Sequence, residues 1–134
     1  MDFLESESAG RPGSTPGSID YRLARRRVLR RFRAGELSTS EVCDAQRELM
    51  RVAHSASVPE KSPCPICAGS GLRLVRFVFG PRLPHGGRAI TSEAEMARLS
   101  SRAGDYRCYA VEVCVDCGWN HLQSSSLLGA TRSA

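Results

Sequence analysis

The sequence predicts an α+β protein, because two kinds of apolar pattern occupy different parts of the chain. Apolar side chains recur at helical spacing through residues 20–54. Two segments rich in β-forming residues, 72–79 and 105–113, come later, and each adjoins a pair of cysteines separated by two residues. We therefore expect a basic helical unit followed by a small antiparallel sheet that carries the cysteines.

The length and composition limit the possible classes of protein. The 134 residues suffice for one small domain with an appended helical element. No apolar run approaches the roughly 18 residues of a membrane span, and the acidic N-terminus lacks the basic and apolar parts of a secretory signal. We expect a cytoplasmic protein whose six cysteines are thiols or metal ligands rather than disulfides. A transporter, a secreted disulfide scaffold and a large multidomain enzyme are excluded.

A basic helix is predicted for residues 20–34, after a tail (1–18) whose Ser, Gly and Pro content predicts disorder. Asp20 is the predicted N-cap and Gly35 the terminator. The apolar stripe of this helix consists of Tyr21, Ala24, Val28, Leu29 and Phe32. Its remaining faces carry seven arginines: Arg22, Arg25, Arg26, Arg27, Arg30, Arg31 and Arg33. No acidic residue of the helix lies within reach to neutralise them.

A second helix is predicted over residues 39–54. Ser38 and Glu41 have the spacing of a capping box, in which each side chain bonds the other's backbone N–H. The short connection to the first helix favours an antiparallel pair, so residues 19–58 are predicted to form a basic helical hairpin. Two helices of this length bury little area by themselves, and we expect them to dock on the rest of the chain or on a partner.

The second half of the sequence predicts two strands separated by a connecting segment. The strand at 72–79 is followed by a Pro/Gly loop over 80–87 and a short helix within 91–102. The strand at 105–113 follows, and then a short third strand over 119–123 and a frayed tail over 124–134.

Two C-x-x-C pairs carry the strongest chemical signal. A tetrahedral zinc ion takes four soft ligands, and two residues between paired cysteines let one tight turn point both sulfurs at it. Gly118 and Gly69 would supply the permissive backbone of these turns. The antiparallel strands bring the pairs together, which predicts a zinc ribbon over 59–123 with an insertion at 80–104. The predicted ligands of a structural zinc are Cys64, Cys67, Cys114 and Cys117.

Other roles for these residues remain open at this stage. Cys-Pro-Ile-Cys also resembles a dithiol redox motif, although a strand before it and a helix after it are missing. Cys43 and Cys108 are expected to be small buried apolar residues, and His121 a surface residue or a neighbour of the ligands. Trp119 either packs over the second cysteine turn or presents an exposed ring to a base or a partner.

The arginine-rich helix has three interpretations. Its guanidinium groups suit the phosphates of a nucleic-acid backbone. They also suit an acidic protein surface, and a third possibility is that they are simply solvated. No base-reading motif is visible, so any contact with nucleic acid is expected to be weakly sequence-specific.

Four blocks of sequence together resemble a family of small proteins of unknown function from GC-rich Gram-positive bacteria. The resemblance covers roughly residues 19–129 and is carried by the blocks at 19–23, 41–45, 64–67 and 111–122. It implies a compact zinc-ribbon-like protein and no particular activity. The second half is also similar to the zinc ribbons of transcription and translation machinery, which is an analogy of fold only.

The sequence therefore predicts a non-enzymatic zinc-binding accessory protein. It would engage nucleic acid, or a nucleic-acid machine such as RNA polymerase or the ribosome, through the arginine helix and Trp119. The alternatives are an adaptor that binds an acidic protein surface and a thiol/zinc redox switch. Four cysteine ligands leave no open coordination position and no acid/base pair is evident, so we expect neither catalysis nor a small-molecule substrate.

Overall fold

A computed structural model describes residues 17–129, and the expectations for 1–16 and 130–134 lie outside this range. The predicted α+β class is confirmed. No helix in the described part is long and apolar enough to cross a membrane. The elements in chain order are β1 (Ile19–Asp20), α1 (Arg22–Arg33), α2 (Thr39–Val42), α3 (Arg47–Ser55), β2 (Val58–Pro59), β3 (Leu72–Phe79), β4 (Arg88–Ile90), α4 (Glu93–Ser100), β5 (Tyr106–Cys114) and β6 (Asn120–Leu128).

All six strands form one antiparallel sheet, in which five follow the order β1-β6-β5-β3-β2. The sixth strand, β4, pairs with the same edge of β3 as β2 does, further along the strand. The centre of the sheet is the long pairing of β3 with β5, in register from Leu72↔Cys114 to Phe79↔Arg107. The inserted segment contributes β4 and α4 at the far end of this pair, away from Cys114. A helix and a short edge strand therefore occupy the excursion that separates the two cysteine pairs.

Successive residues of a strand point to opposite sides of the sheet, so both sides carry apolar side chains. Helices pack on both of these faces. On one face, Leu29 of α1 packs with Leu72 and Cys114. On the other face, Ala53 of α3 packs with Val75 and Val113. The expected antiparallel helical hairpin is therefore wrong: α1 and α3 lie on opposite faces. Each helix buries apolar side chains against its own face of the sheet.

The predicted second helix over 39–54 is interrupted at residues 43–46. The Ser38–Glu41 capping box forms as expected and begins α2, which ends after one turn. The backbone then bonds elsewhere, since the N–H of Ala45 donates to the carbonyl of Gly118 at 3.0 Å. The side chain of Asn120 also donates to Asp44 at 3.0 Å. Contacts with the turn at Gly118 thus replace helical hydrogen bonds, and we call residues 43–46 the α2–α3 link.

The start of α1 and the length of the C-terminal strand also differ from expectation. The N-cap is Tyr21, while Asp20 accepts the backbone N–H of Arg22 at 2.8 Å. Gly35 follows the helix at φ 81°, as a terminator should. The third strand does not fray at residue 124 but continues to Leu128. Its serines have weak strand propensity, and pairing with β1 and β5 on either side holds them extended.

A buried carboxylate connects α1 to the sheet. Glu112 of β5 is only 2% exposed, and it accepts a hydrogen bond from Arg25 Nε at 2.9 Å. It also accepts from the indole N–H of Trp119 and from Gln123 Nε2 at 3.1 Å. These donors satisfy a charge that would otherwise be expensive to bury. One of the seven arginines is therefore committed to holding the helix in place.

The Glu112→Gln substitution should lower the free energy of unfolding by about 2 kcal/mol, because it removes the charge opposite Arg25 while keeping the shape of the side chain. Urea denaturation measures the change. Glu36→Gln is the matched control, since the Arg31–Glu36 pair lies at the surface and contributes little. Equal effects of the two substitutions would contradict the role given to Glu112.

The Gly118→Ala substitution should cost about 1–2 kcal/mol, the penalty of a left-handed conformation for a residue with a Cβ. Gly118 has a φ of 92°, and a Cβ there would lie 3.1 Å from the carbonyl oxygen of Cys43. Gly86→Ala is the control, because nothing lies within 4 Å of its Cβ position. The same denaturation experiment compares the two variants, and an unchanged midpoint for Gly118→Ala would refute the close approach.

Candidate metal centre

The first cysteine pair lies on a tight turn before β3. The turn is closed by hydrogen bonds from Ala68 N–H to the Cys64 carbonyl at 2.9 Å and from Cys64 N–H to the Gly69 carbonyl at 3.0 Å. Two further backbone N–H groups point at the sulfurs: Ile66 N–H at Cys64 Sγ and Gly69 N–H at Cys67 Sγ, both at 3.4 Å. Donors of this kind stabilise thiolates.

The second pair repeats this arrangement at the end of β5. Gly118 N–H donates to the Cys114 carbonyl at 2.9 Å, and Trp119 N–H points at Cys117 Sγ at 3.4 Å. The residue after the second cysteine of each pair is left-handed: Ala68 has φ 63° and Gly118 φ 92°. The prediction for Gly118 is confirmed. The one for Gly69 is wrong, because Ala68 adopts the left-handed conformation in the first turn.

Pairing of β3 with β5 brings the two turns together. Leu72 is opposite Cys114, and Val115 N–H donates to the Gly71 carbonyl at 2.9 Å. As a result, the sulfurs of the four predicted ligands all lie within 4.8 Å of one another. The Cys64–Cys117 and Cys67–Cys114 sulfur pairs are each 3.7 Å apart. Sulfurs at about 2.3 Å from one tetrahedral ion would be about 3.8 Å apart, so the set fits a metal.

Burial and backbone hydrogen bonds shift the acidities of the four thiols in different directions. Burial raises the pKa of Cys64 and of Cys114, and it raises the pKa of Cys117 to about 12. By contrast, the Gly69 N–H lowers the pKa of the exposed Cys67. At neutral pH three of the thiols would keep their protons without a metal. A divalent ion displaces these protons on binding, which couples coordination to thiolate formation.

The cluster lies under the apolar face of α1. Leu29 of α1, Val42 of α2 and Leu72 are buried around Cys64 and Cys114. Val28 and Phe32, one helical turn apart, pack against the same group. Three of the four cysteines, Cys64, Cys114 and Cys117, therefore form part of the surface on which the basic helix rests, whereas Cys67 is exposed.

Trp119 belongs to this core rather than to the surface. It is 1% exposed, and its ring stacks on His121 with centroids 5.9 Å apart. The alternative of an exposed ring for base stacking or a partner's pocket is therefore wrong, because the indole N–H bonds Glu112 and the ring fills space beneath α1. Burial lowers the pKa of His121, whose Nδ1 lies 2.8 Å from the Leu122 carbonyl oxygen.

The two remaining cysteines differ from each other. Cys108 is buried with Val78 and Tyr106 in a separate part of the core, as expected for a small apolar residue. Cys43 is half-buried in the α2–α3 link, and its sulfur lies 3.5 Å from that of Cys117. As expected, Cys43 packs against the core and is not one of the four clustered cysteines, but it is half-buried rather than buried. Because 74 residues separate Cys43 from Cys117, no local sequence pattern could indicate the contact.

The other arginines of α1 are exposed. Arg22 pairs with Asp20 at 3.0 Å and Arg31 with Glu36 at 3.1 Å, both at the surface. Within residues 17–129 no carboxylate pairs with the three exposed arginines at i, i+4 and i+7 of one face: Arg26, Arg30 and Arg33. Arg27 is exposed as well. Six of the seven predicted binding arginines thus face solvent, and Arg25 does not belong with them.

Comparison with known proteins supports the resemblance suggested by the four sequence blocks. The profile of a family of unknown function (DUF5318) matches residues 15–134. An uncharacterized protein of Mycobacterium bovis is 43% identical over 117 residues, or 87% of this chain and 85% of that protein, and one of Mycobacterium tuberculosis has the same identity and coverage. No solved structure is significantly similar. The chain belongs to the DUF5318 family.

Proposed function

We propose that this protein is a non-enzymatic docking module in which a structural zinc ion supports a basic helix that binds nucleic acid or a nucleic-acid machine. The observation that carries the proposal is the position of the sulfur cluster, three of whose four cysteines pack in the core beneath α1. A metal at this point would fix the two cysteine turns and, through Leu29, the helix that displays the arginines.

Four thiolates favour zinc in a structural role. Soft sulfur ligands in a tetrahedral set are typical of structural zinc, whereas a catalytic zinc keeps one position open for water. An apparent binding free energy of about 10–16 kcal/mol is comparable with the whole stability of a domain of this size. We therefore assign the ion to folding rather than to hydrolysis.

The exposed arginines of α1 favour a partner that carries many negative charges. Arg22, Arg26, Arg30 and Arg33 follow one another at intervals of four, four and three residues, which places them on one side of the helix. With a rise of 1.5 Å per residue the stripe is about 16 Å long. Surface ion pairs such as Arg22–Asp20 contribute little, so they can exchange for phosphate contacts.

One observation favours the alternative of a protein partner. Leu23, beside the arginine stripe, is 45% exposed and is one of two large apolar residues that are exposed within residues 17–129. An apolar side chain next to guanidinium groups suits the centre of a protein interface better than a bare phosphate backbone. A protein partner would present an acidic surface with an apolar pocket.

The protein purified under reducing conditions should contain one zinc ion per chain. Removal by a strong chelator should lower the thermal midpoint and the helical signal, because the cysteine turns lose their common ligand. The Cys67→Ser variant should bind zinc more weakly, while Cys108→Ser, outside the cluster, keeps full occupancy. Elemental analysis and circular dichroism measure both effects. Metal-free reduced protein with an unchanged thermal midpoint would overturn the proposed site.

Affinity for nucleic acid should fall steeply with salt, since binding releases counterions from the phosphates. Arg26→Ala and Arg30→Ala should each reduce the slope of log affinity against log salt by about 1. Fluorescence anisotropy with single-stranded and duplex probes measures this slope.

Arg98→Ala on α4 is the control for these variants, because Arg98 is exposed on a different helix and should leave the slope unchanged. Absence of binding to both probes at low salt would reject the nucleic-acid role and leave the protein adaptor.

A further inference from the structure

The metal centre contains a fifth sulfur that a tetrahedral ion does not need. Cys43 Sγ lies 3.5 Å from Cys117 Sγ, closer than the 3.7 Å between Cys64 and Cys117 Sγ. Cys43 is nevertheless not part of the mutually close set of four, which indicates that it flanks the cluster on the Cys117 side. The Cys43 thiol donates a hydrogen bond toward Cys117 Sγ.

The backbone holds these two cysteines together. Gly118, next to Cys117, lies so close to the link that a Cβ there would be 3.1 Å from the Cys43 carbonyl oxygen. The Ala45–Gly118 hydrogen bond and the Asp44–Asn120 hydrogen bond fasten the same two segments. The pair is therefore held in place by one main-chain and one side-chain hydrogen bond between the two segments, independently of any bond between the sulfurs.

Neither cysteine of the pair is fully buried. Cys43 and Cys117 are both half-buried, between the exposed Cys67 and Cys108, which is buried in a separate part of the core. The two sulfurs, 3.5 Å apart, would have to approach by about 1.5 Å to reach a disulfide length of about 2.05 Å.

We propose that Cys43 and Cys117 form a peroxide-sensitive dithiol, in which oxidation links them and withdraws Cys117 from the metal. The effect on the metal rests on the proposed zinc site, but the formation of the disulfide does not. The substrate class is a hydroperoxide, which includes hydrogen peroxide.

The reaction proceeds in two balanced steps. The Cys117 sulfur attacks a peroxide oxygen; an S–O bond forms, the O–O bond breaks, and the departing alkoxide or hydroxide takes a proton, from the Cys117 thiol where it is protonated and otherwise from solvent. The Cys43 sulfur then attacks the sulfenic sulfur of Cys117; the S–S bond forms, the S–O bond breaks, and hydroxide leaves with the Cys43 proton as water. The two thiols lose two electrons in total and the peroxide gains them.

Oxidation would alter the surface that the basic helix rests on. Loss of Cys117 leaves three thiolates, an incomplete set for a structural zinc. Cys117 and Phe32 of α1 both contact the same core cluster, so the change occurs beneath the arginine stripe. The dithiol thereby connects peroxide exposure to the display of the proposed binding face.

The test treats the full-length zinc-loaded protein with hydrogen peroxide, blocks free thiols and maps disulfides by mass spectrometry of a non-reduced digest. A zinc-sensitive dye follows metal release in the same samples. We expect a Cys43–Cys117 crosslink that appears together with zinc loss and is reversed by a thiol reductant. The Cys43→Ser variant should bind zinc normally, form no such crosslink and release zinc more slowly.

Cys108→Ala is the matched control and should behave as the wild-type protein. A first disulfide within one C-x-x-C pair, or equal zinc release from Cys43→Ser and the wild type, would overturn the proposal. If the purified protein holds no zinc, the crosslink is mapped without the dye. The proposed zinc site then fails, while the dithiol is supported by formation of the Cys43–Cys117 bond and rejected by its absence.

Discussion

The pairing of β3 with β5 is the constraint on which the rest of this structure depends. Because Leu72 lies opposite Cys114, the turns before β3 and after β5 meet at one end of the sheet. Their four sulfurs reach the separations of a tetrahedral set although 46 residues lie between the two pairs. The insertion forms β4 and α4 at the opposite end, so its length does not disturb the cluster. Loop closure of this kind becomes only slightly more costly as the loop lengthens.

The same end of the sheet positions the basic helix. The apolar stripe of α1 packs over the sulfurs, and the Arg25–Glu112 ion pair fixes the helix against β5. Arg25 therefore stabilises the fold, whereas the arginines on the outer face remain at the surface. This division explains how a helix with seven arginines can be part of a small core: its inner face is apolar, and the one inward guanidinium meets a buried carboxylate.

Sequence reasoning succeeded where the determinants are local. The strand at 72–79, the capping box at Ser38 and the terminator at Gly35 depend on neighbouring residues, and all three were found. It failed where distant contacts compete with local preference. The α2–α3 link breaks a helical pattern because its backbone bonds the turn at Gly118, and β6 continues through serines because strands flank it on both sides.

The sequence alone determined where the two cysteine turns lie, since two residues between paired cysteines are a local property, and it determined the left-handed position at Gly118 but not the one at Ala68. It also determined the basic character of α1. Only the tertiary structure decided that α1 and α3 cover opposite faces, that Trp119 is buried, and that Cys43 meets Cys117. The physical reason is that these contacts join residues far apart in the chain, whose proximity follows from strand register and packing rather than from local pattern.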